Sequence, residues 1–298
     1  MEQIVTRDIF EIVTNLIIQK LEGGVIPWRQ PWINLGPPRN LITQRPYRGI
    51  NLLLLGSLGY DRNEFLTFKQ VQDLNARVKK GSKANLVVLW HWIDETETAR
   101  KQDVRPRKRP ILRYYHVFNV SQCVGIPENN TMIKPRENSP IERCESIVAN
   151  MPNAPNIVHN ENEAYYHPAA DFINMPAIEL FESSKAYYGT LFHELIHSTG
   201  HTDRLNRKEL MENRKAGYYS TEELIAEIGS CYLTSFAGVA LDELKNSVAY
   251  LQGWLEKLRN DKKFIVYASA QAQKATDYIL NIKHSENEFT EEIKEEAL

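Results

Sequence analysis

Apolar residues recur at helical spacing close to the N-terminus. They occupy Ile4, Ile9, Ile12, Val13, Leu16, Ile17 and Leu21. Because positions three or four apart share one face of a helix, residues 1–24 are predicted to form an amphipathic helix. Acidic residues interrupt the pattern, and the basic start, continuous apolar core and small-residue cleavage site of a signal peptide are missing. No secretion signal is therefore expected.

Strand patterns dominate the rest of the first half. Residues 85–92 (NLVVLWHW) and 113–120 (RYYHVFNV) are rich in β-branched and aromatic side chains, which favour half-buried strands. A polar, hairpin-like excursion over 93–112 separates them. Residues 65–78 show a helical pattern, and residues 79–85 (KKGSKAN) form a predicted basic turn. The first half is therefore predicted to be α+β.

The second half is predicted to be mainly helical. Helical spacing recurs over 181–200, 222–238, 242–260 and 262–281, and the first two of these segments end at a glycine. An extended segment over 167–176 precedes them.

A boundary between two domains is predicted at residues 127–142. This segment is rich in proline, asparagine and charge and poor in large apolar residues, as linkers commonly are. A chain of 298 residues is long enough for two domains. We therefore expect an N-terminal domain over 1–126 and a C-terminal domain over 143–298.

Composition limits where such a chain works. Its three cysteines, Cys123, Cys144 and Cys231, are odd in number and show no CxxC spacing, so a disulfide framework is not expected. No run of about 18 apolar residues occurs, so no membrane-spanning helix and no membrane partner are expected. A reducing, cytoplasmic location is the simplest interpretation.

The net charge of −2 conceals a strong asymmetry. Residues 1–126 contain 19 basic and 11 acidic side chains, a net charge of +8, whereas residues 127–298 contain 17 basic and 27 acidic side chains, a net charge of −10. Such a division suggests a basic half that faces a polyanion and an acidic half with a different task.

The acidic half contains a candidate metal motif at residues 193–197, HELIH. His193 and His197 are four residues apart and share a helix face, with Glu194 beside them. This HExxH pattern is typical of zincins, in which two imidazoles bind zinc and the glutamate activates a water molecule. The alternative is a buried helix whose histidines have ordinary hydrogen-bond partners.

A catalytic zinc site needs a third protein ligand, for which the sequence offers two candidates. His201 lies on the same helical face but follows Gly200, which is expected to end the helix, so we interpret it as a residue near the metal or substrate. The better candidate is Glu223 on the next predicted helix, the gluzincin arrangement. Glu227, four residues later on the same face, could then accept the free N–H of a ligating imidazole.

The expected chemistry is metal-assisted peptide hydrolysis, with Glu194 as the general base and then the general acid. Tyr218, Tyr219 and His201 are candidates to donate a hydrogen bond to the oxyanion, with Tyr218 as the first choice. Zn²⁺ is the expected ion, although Mn²⁺ or another divalent cation can occupy such a site.

The basic half suggests single-stranded DNA as a partner, because single-strand binders combine positive grooves with aromatic stacking side chains. The candidate contact residues are Trp28, Arg29, Trp32, Tyr47, Arg48, Lys69, Lys79, Lys80, Lys83, Arg107, Lys108 and Arg109. Trp90 and Trp92, which share a strand face, are interpreted as core residues rather than stacking residues. The basic run at 105–113 is equally compatible with a solvated hairpin.

Longer stretches of the sequence together resemble ArdC-type antirestriction proteins of conjugative plasmids. They include YRGIN at 47–51, LTFKQ at 66–70, KKGSK at 79–83, VFNVSQC at 117–123, YYGTLFHELIHSTGH at 187–201 and EELIAEIG at 222–229. The resemblance implies an N-terminal single-stranded-DNA-binding domain and a C-terminal zincin-like metallopeptidase domain. It also implies metal ligands at His193, His197 and Glu223, a catalytic Glu194, and protection of incoming plasmid DNA from restriction.

Three functional hypotheses follow. The first is a single-stranded-DNA-binding protein that also cleaves an unidentified protein, for which a component of a restriction system is a candidate. In the second, the zincin domain is a non-cleaving scaffold. In the third, the basic half of a metallopeptidase binds a protein or another anionic surface.

Overall fold

The structure is a computed structural model that describes residues 8–28, 36–94, 108–126, 140–208, 210, 220–239 and 248–283. At positions 92–94, 108–110, 140 and 248–250 it describes the backbone alone. Mixed helices and strands confirm the predicted α+β class.

A four-stranded sheet forms the centre of the N-terminal half. The strands of this half are β1 (Arg39–Asn40), β2 (Glu64–Thr67), β3 (Arg77–Val78), β4 (Asn85–Asp94), β5 (Lys108–Asn119) and β6 (Cys123–Val124). The main sheet has the order β1-β2-β5-β4, with β1 and β2 parallel and the other pairs antiparallel. Strands β3 and β6 form a separate antiparallel pair. The two strands predicted at 85–92 and 113–120 are confirmed.

Three helices accompany this sheet: α1 (Ile9–Glu22), α2 (Ile50–Gly56) and α3 (Phe68–Asp73). Helix α1 begins where the Asp8 carboxylate accepts a hydrogen bond from the Phe10 N–H at 3.0 Å. It buries Val13, Ile17 and Leu21, as the apolar spacing predicts.

The helix predicted over 65–78 is wrong in part. The segment is a strand, a short helix and a second short strand. Thr67 and Gln70 form a capping box that starts helix α3 only at Phe68, while Phe65 and Leu66 before it pair with β5 and are buried. Pairing with a distant strand overrides the local helical pattern here.

The C-terminal half is mainly helical, as predicted. Its helices are α4 (Pro140–Asn150), α5 (Ser184–Ser198), α6 (Thr221–Ala237), α7 (Val248–Asn260) and α8 (Phe264–Ile279). A small sheet has the order β7-β9-β8, formed by β7 (Asn156–Val158), β8 (Tyr165–His167) and β9 (Phe172–Asn174). Because α4 begins at Pro140, the last three residues of the predicted linker are helical. The domain boundary itself stays a prediction.

The two halves share one hydrophobic cluster, in which Val13 and Ile17 of α1 lie with Ile265 of α8. Trp28 packs edge-on against Trp254 of α7, with 5.9 Å between ring centroids. The first helix is therefore part of the support for the C-terminal helices.

A second connection passes through Gly49. Its carbonyl accepts a hydrogen bond from the Tyr232 hydroxyl of α6 at 2.7 Å, and its N–H donates to the Gln273 side chain of α8 at 2.9 Å. The neighbouring Arg48 forms an ion pair with Asp277. Gly49 adopts φ 54° and ψ −135°, a backbone conformation that side chains disfavour, so glycine permits this docking.

Within the described ranges, no helix combines the length and the apolar character needed to cross a lipid bilayer.

Candidate metal centre

Helix α5 places the two histidines of the HExxH motif side by side. Ser183 caps the helix by accepting a hydrogen bond from the Ala186 N–H at 3.2 Å. One turn separates His193 from His197, and their Nε2 atoms lie 3.1 Å apart. The two ring nitrogens therefore face one another across a common point.

Helix α6 supplies the third donor. Its N-cap, Ser220, accepts from the Glu223 N–H at 3.1 Å, which places the Glu223 carboxylate in the first turn. That carboxylate lies 3.5 Å from His193 Nε2 and 3.6 Å from His197 Nε2. Among the described residues, these three alone form a group of histidine, cysteine or acidic side chains able to share an ion.

The two imidazole nitrogens and the Glu223 carboxylate lie close enough together to share one divalent ion. Bonds of about 2.0–2.1 Å in a tetrahedral zinc site place neighbouring ligand atoms roughly 3.3–3.4 Å apart. The imidazole Nε2 atoms are 3.1 Å apart, Glu223 Oε2 lies 3.5 Å from His193 Nε2, and Glu223 Oε1 lies 3.6 Å from His197 Nε2, all close to that value. The residues therefore fit a divalent ion with two imidazole ligands and one carboxylate ligand.

Close packing of α5 against α6 makes this convergence possible. A Cβ atom added to Gly229 of α6 would lie 2.6 Å from Ile196 Cδ1 of α5, much closer than real atoms approach. The absent side chain at Gly229 thus lets the two helices come together and brings Glu223 to the histidine pair.

A buried ion-pair network contacts His197 on the Nδ1 side of its ring. The Glu222 carboxylate lies 3.1 Å from His197 Nδ1 and accepts hydrogen bonds from Arg207 Nη2 at 2.6 Å and Nε at 3.0 Å. Arg207 also donates to the Ile196 carbonyl at 2.8 Å and to the Thr199 hydroxyl at 2.5 Å. Glu222 is fully buried, so its charge depends on these partners.

Electrostatics within this network favour a charged imidazole in the metal-free chain. Burial opposes the charge, but the hydrogen bond and negative charge of Glu222, together with Glu194 and Glu223, raise the pKa of His197 to about 9. Burial would likewise raise the pKa of Glu222, yet His197 and Arg207 hold it below its ordinary value. A metal that binds His197 has to displace this proton, so metal affinity falls as the pH decreases.

Neither Glu222 nor Arg207 is predicted as a site residue from the sequence. Glu222 directly precedes the predicted ligand Glu223, and one residue of helix rotates a side chain by about 100°. Only the packing of α6 on α5 shows that this rotation points Glu222 at His197. The carboxylate on His197 Nδ1 is thus Glu222 and not Glu227, which stays a prediction as a partner of His193.

His201 lies apart from the three donor atoms. Helix α5 ends at Ser198, and the His201 Nδ1 atom accepts a hydrogen bond from the Asp203 N–H at 3.2 Å. Its predicted place near the substrate is untested.

An open cleft of about 400 Å³ leads to the metal centre. Its lining includes Glu194, the two histidines, Glu223, Leu210 and, from β8 and its ends, residues 164–168. Glu194 is largely buried, at 8% exposure, but borders this cleft. A substrate can therefore reach the side of the site where Glu194 lies.

Tyr218, the predicted oxyanion donor, lies outside the described residues. Three polar side chains of β8, those of Tyr165, Tyr166 and His167, border the cleft. The Tyr166 hydroxyl already donates to Asp171 at 2.7 Å. His167 accepts a hydrogen bond from the Ala170 N–H at Nδ1, at 3.1 Å, so in the neutral ring the proton lies on Nε2.

Two of the predicted DNA contacts do not fit a role in base stacking. Trp28 is 1% exposed and packs against Trp254, and Tyr47 is 8% exposed and packs edge-on against Phe65. Both aromatic rings belong to the core, where a base cannot reach them. Arg48 forms an ion pair with Asp277 that links the two halves of the chain.

The structure describes the side chains of only some of the other predicted DNA contacts. Lys69, Lys79, Lys80 and Lys83 are exposed, and Lys79 Nζ donates to the Ser121 carbonyl at 2.7 Å. Lys108 and Arg109 lie in β5, with only their backbone described. Arg29, Trp32 and Arg107 lie outside the described residues.

An HExxH helix, a glutamate from the following helix and a small sheet beside an open cleft define a zincin-like metallopeptidase domain. Residues 142–271 match the family of that description, and residues 7–118 match the N-terminal domain of the anti-restriction factor ArdC. The chain belongs to the ArdC family of antirestriction proteins. A solved metal-free structure of ArdC from the R388 plasmid is 34% identical in sequence and has a TM-score of 0.73. The match covers 93% of this chain and 100% of the R388 chain.

A Mn(II)-bound structure of R388 ArdC has a TM-score of 0.72 at the same identity, covering 92% of this chain and 97% of that one. An uncharacterised protein of Sinorhizobium fredii, y4eC, is 32% identical over 91% of both chains. A DNA primase TraC from Escherichia coli is 32% identical over 93% of this chain, which spans only 27% of TraC.

Proposed function

We propose that the protein is a metal-dependent peptidase that also binds single-stranded DNA. One observation carries the peptidase assignment: three side chains whose ligand atoms lie close enough to share one ion border an open cleft together with Glu194. A site that served only to stabilise the fold would be closed by a fourth protein ligand, whereas a catalytic site keeps one position open.

His193, His197 and Glu223 would hold the ion, with Zn²⁺ or Mn²⁺ as the proposed species. When bound, the ion would act as a Lewis acid that polarises a peptide carbonyl and acidifies water. Glu194 accepts the proton of the attacking water and passes it to the leaving nitrogen. Glu222 fixes the ring orientation of His197 through Nδ1. Tyr218 or the Nε2–H of His167 donates a hydrogen bond to the developing oxyanion.

An extended peptide is the proposed substrate. Strand β8 is the terminal strand of its three-stranded sheet in the described structure, and its residues border the cleft. Such an edge offers backbone donors and acceptors to a peptide that adds as a further strand. A component of a restriction system is the proposed substrate protein.

Metal removal tests the peptidase assignment. We expect the purified chain to contain about one divalent ion per molecule, since one set of three ligands is described. Chelation should abolish the cleavage of an unfolded casein substrate, and Zn²⁺ or Mn²⁺ should restore it. Elemental analysis and a fluorescent casein assay measure both quantities. A chain that binds the ion but cleaves neither casein nor a peptide library would support the non-cleaving scaffold instead.

The basic half supports the binding of single-stranded DNA, because phosphate neutralisation depends on the number of positive charges. That half carries a net charge of +8, and Lys69, Lys79, Lys80 and Lys83 are exposed on it. Membership of the ArdC family agrees with this proposal. Binding in the cytoplasm of a recipient cell would place the protein on incoming plasmid DNA, where it protects that DNA from restriction.

Binding should weaken steeply as salt increases. For single strands, each neutralised phosphate contributes about −0.7 to the slope of log K against log salt concentration. Fluorescence anisotropy with a labelled oligo(dT), titrated at several salt concentrations and competed with duplex DNA, measures the slope and the preference for single strands. Affinity that does not change with salt would instead favour a protein partner for the basic half.

A further inference from the structure

One face of strand β5 carries a row of three aromatic side chains, two of them exposed and the third, Phe118, partly buried against a small core cluster. Tyr114, His116 and Phe118 alternate along the strand and therefore point to the same side of the sheet. Tyr114 is 42% exposed and His116 is also exposed. The rings of Tyr114 and His116 lie 5.6 Å apart in an edge-on contact.

Further aromatic rings extend the row at both ends. Trp90 of β4 pairs with Leu112, which places Trp90 diagonally next to Tyr114 on the same face, and it is 43% exposed. At the other end Phe68, 53% exposed, lies with its ring centroid 6.3 Å from that of Phe118. Phe68, Phe118, His116, Tyr114 and Trp90 together form what we call the aromatic row.

Other side chains on this face of the sheet are buried, unlike most of the aromatic row. On the same face, Val88 and Leu112 are buried in the hydrophobic cluster that contains Val13 and Ile17 of α1. Helix α1 packs on this part of the face, with its Phe10 ring 6.0 Å from that of Trp90, and leaves Tyr114 and His116 exposed. A contiguous set of exposed large rings is unusual on a protein surface and marks a place of contact.

The charge around the row identifies the chemistry of the partner. Residues 74–94 and 108–126, which contain β3 to β6, carry seven basic side chains and a single acidic one, Asp94. Lys69 directly follows Phe68, and Lys83 lies two residues before Asn85, the partner of Val117. Lys263 Nζ lies 5.6 Å from the centroid of Phe10, whose ring is 6.0 Å from Trp90. Positive charge therefore flanks the row at both ends.

We infer that the aromatic row is the surface on which this protein stacks the bases of single-stranded DNA, while the flanking lysines neutralise its phosphates. Unpaired bases stack on aromatic rings without regard to sequence, and a sheet face with aromatic side chains on alternate positions is a known solution for this task. The inference rests on the single-stranded-DNA binding proposed above, and it replaces Trp28 and Tyr47 as stacking residues.

Anisotropy titrations of the full-length protein with a fluorescein-labelled oligo(dT) test the inference. Trp90→Ala and Tyr114→Ala should each weaken binding about tenfold, since loss of one stacked base contact commonly costs that much. Tyr114→Phe keeps the ring and should bind like the wild type. Leu180→Ala, which removes a 63% exposed apolar side chain from the C-terminal half, is the control. Thermal unfolding of every variant verifies that the fold is intact.

Salt titrations separate stacking from charge. Trp90→Ala should lower the affinity without changing the slope, whereas Lys83→Ala should reduce the slope by about one phosphate contact.

Wild-type affinity in both alanine variants would overturn the aromatic row and leave DNA binding intact. Absence of binding by the wild-type protein at low salt would overturn the proposed DNA binding itself. A dimer in sedimentation velocity that both alanine variants dissociate would assign the row to a second copy of the chain and also overturn the inference.

Discussion

Replacing Glu194 by glutamine should remove peptide hydrolysis and leave metal binding in place. The amide has nearly the same size and still borders the cleft, but it cannot accept a proton from water. Loss of general acid–base catalysis commonly slows a reaction by a factor of about 10²–10⁴. We therefore expect kcat/KM to fall by at least that factor, measured with a fluorogenic peptide or casein, while elemental analysis finds the same metal content as in the wild type.

Glu182→Gln is the matched control, because Glu182 is exposed and lies just before α5. It should retain both activity and metal. If Glu194→Gln lost the ion, Glu194 would be a ligand rather than the base. The same variant separates the functional hypotheses in a conjugation assay: loss of protection against restriction shows that cleavage is required, and full protection shows that the zincin domain acts as a scaffold.

Replacing Glu222 by alanine should destabilise the protein more than any exposed substitution on the same half. Its carboxylate compensates Arg207, which is 5% exposed, and accepts hydrogen bonds from both Arg207 and His197. Removing one partner of a buried ion pair leaves an uncompensated charge and costs about 3–5 kcal/mol. Loss of the carboxylate on a ligating imidazole also commonly weakens metal binding by roughly 10–100-fold. Urea unfolding of the metal-free protein and a competitive metal titration measure the two effects.

The stability effect should also depend on pH. The folded protein holds the pKa of Glu222 below its ordinary value of 4.5, so this residue contributes its full stability above that pH. This contribution is lost as the pH falls through the lower pKa of the folded state. The free energy of unfolding should therefore decrease less between neutral and acidic pH in Glu222→Ala than in the wild type. Glu179→Ala, at an exposed position, is the control. Equal unfolding free energies for Glu222→Ala and the wild type at neutral pH would show that the buried pair does not stabilise the fold.

At the candidate metal centre, local sequence patterns predict the histidine pair but not the partner of His197. Four-residue spacing places His193 and His197 on one helix face wherever that helix packs, so the sequence predicts the pair directly. The choice between Glu222 and Glu227 as the partner of His197 depends on how α6 is rotated against α5. Gly229 and Ile196 set that rotation, and they are 33 positions apart, beyond the reach of any periodicity argument.

In the basic half, local patterns predict the strands but not which aromatic side chains are exposed. Local composition correctly predicts strands at 85–92 and 113–120, but it wrongly assigns Trp28 to base stacking and Trp90 to the core. Trp28 is buried because α7 brings Trp254 against it, whereas Trp90 stays 43% exposed although the Phe10 ring of α1 lies 6.0 Å away. Exposure of a ring depends on what lies above it, and that partner comes from elsewhere in the chain.

By itself, the sequence determined the helical and strand-rich halves, their opposite charges, the HExxH helix and the resemblance to the ArdC family. Each of these follows from residue spacing, residue counts or contiguous motifs, which are properties of neighbouring positions. The tertiary structure decided that Glu222 and Arg207 support His197, that Gly49 joins the halves and that the aromatic row faces solvent. These features depend on contacts between elements far apart in the chain, and such contacts form only when the helices and sheets pack against one another.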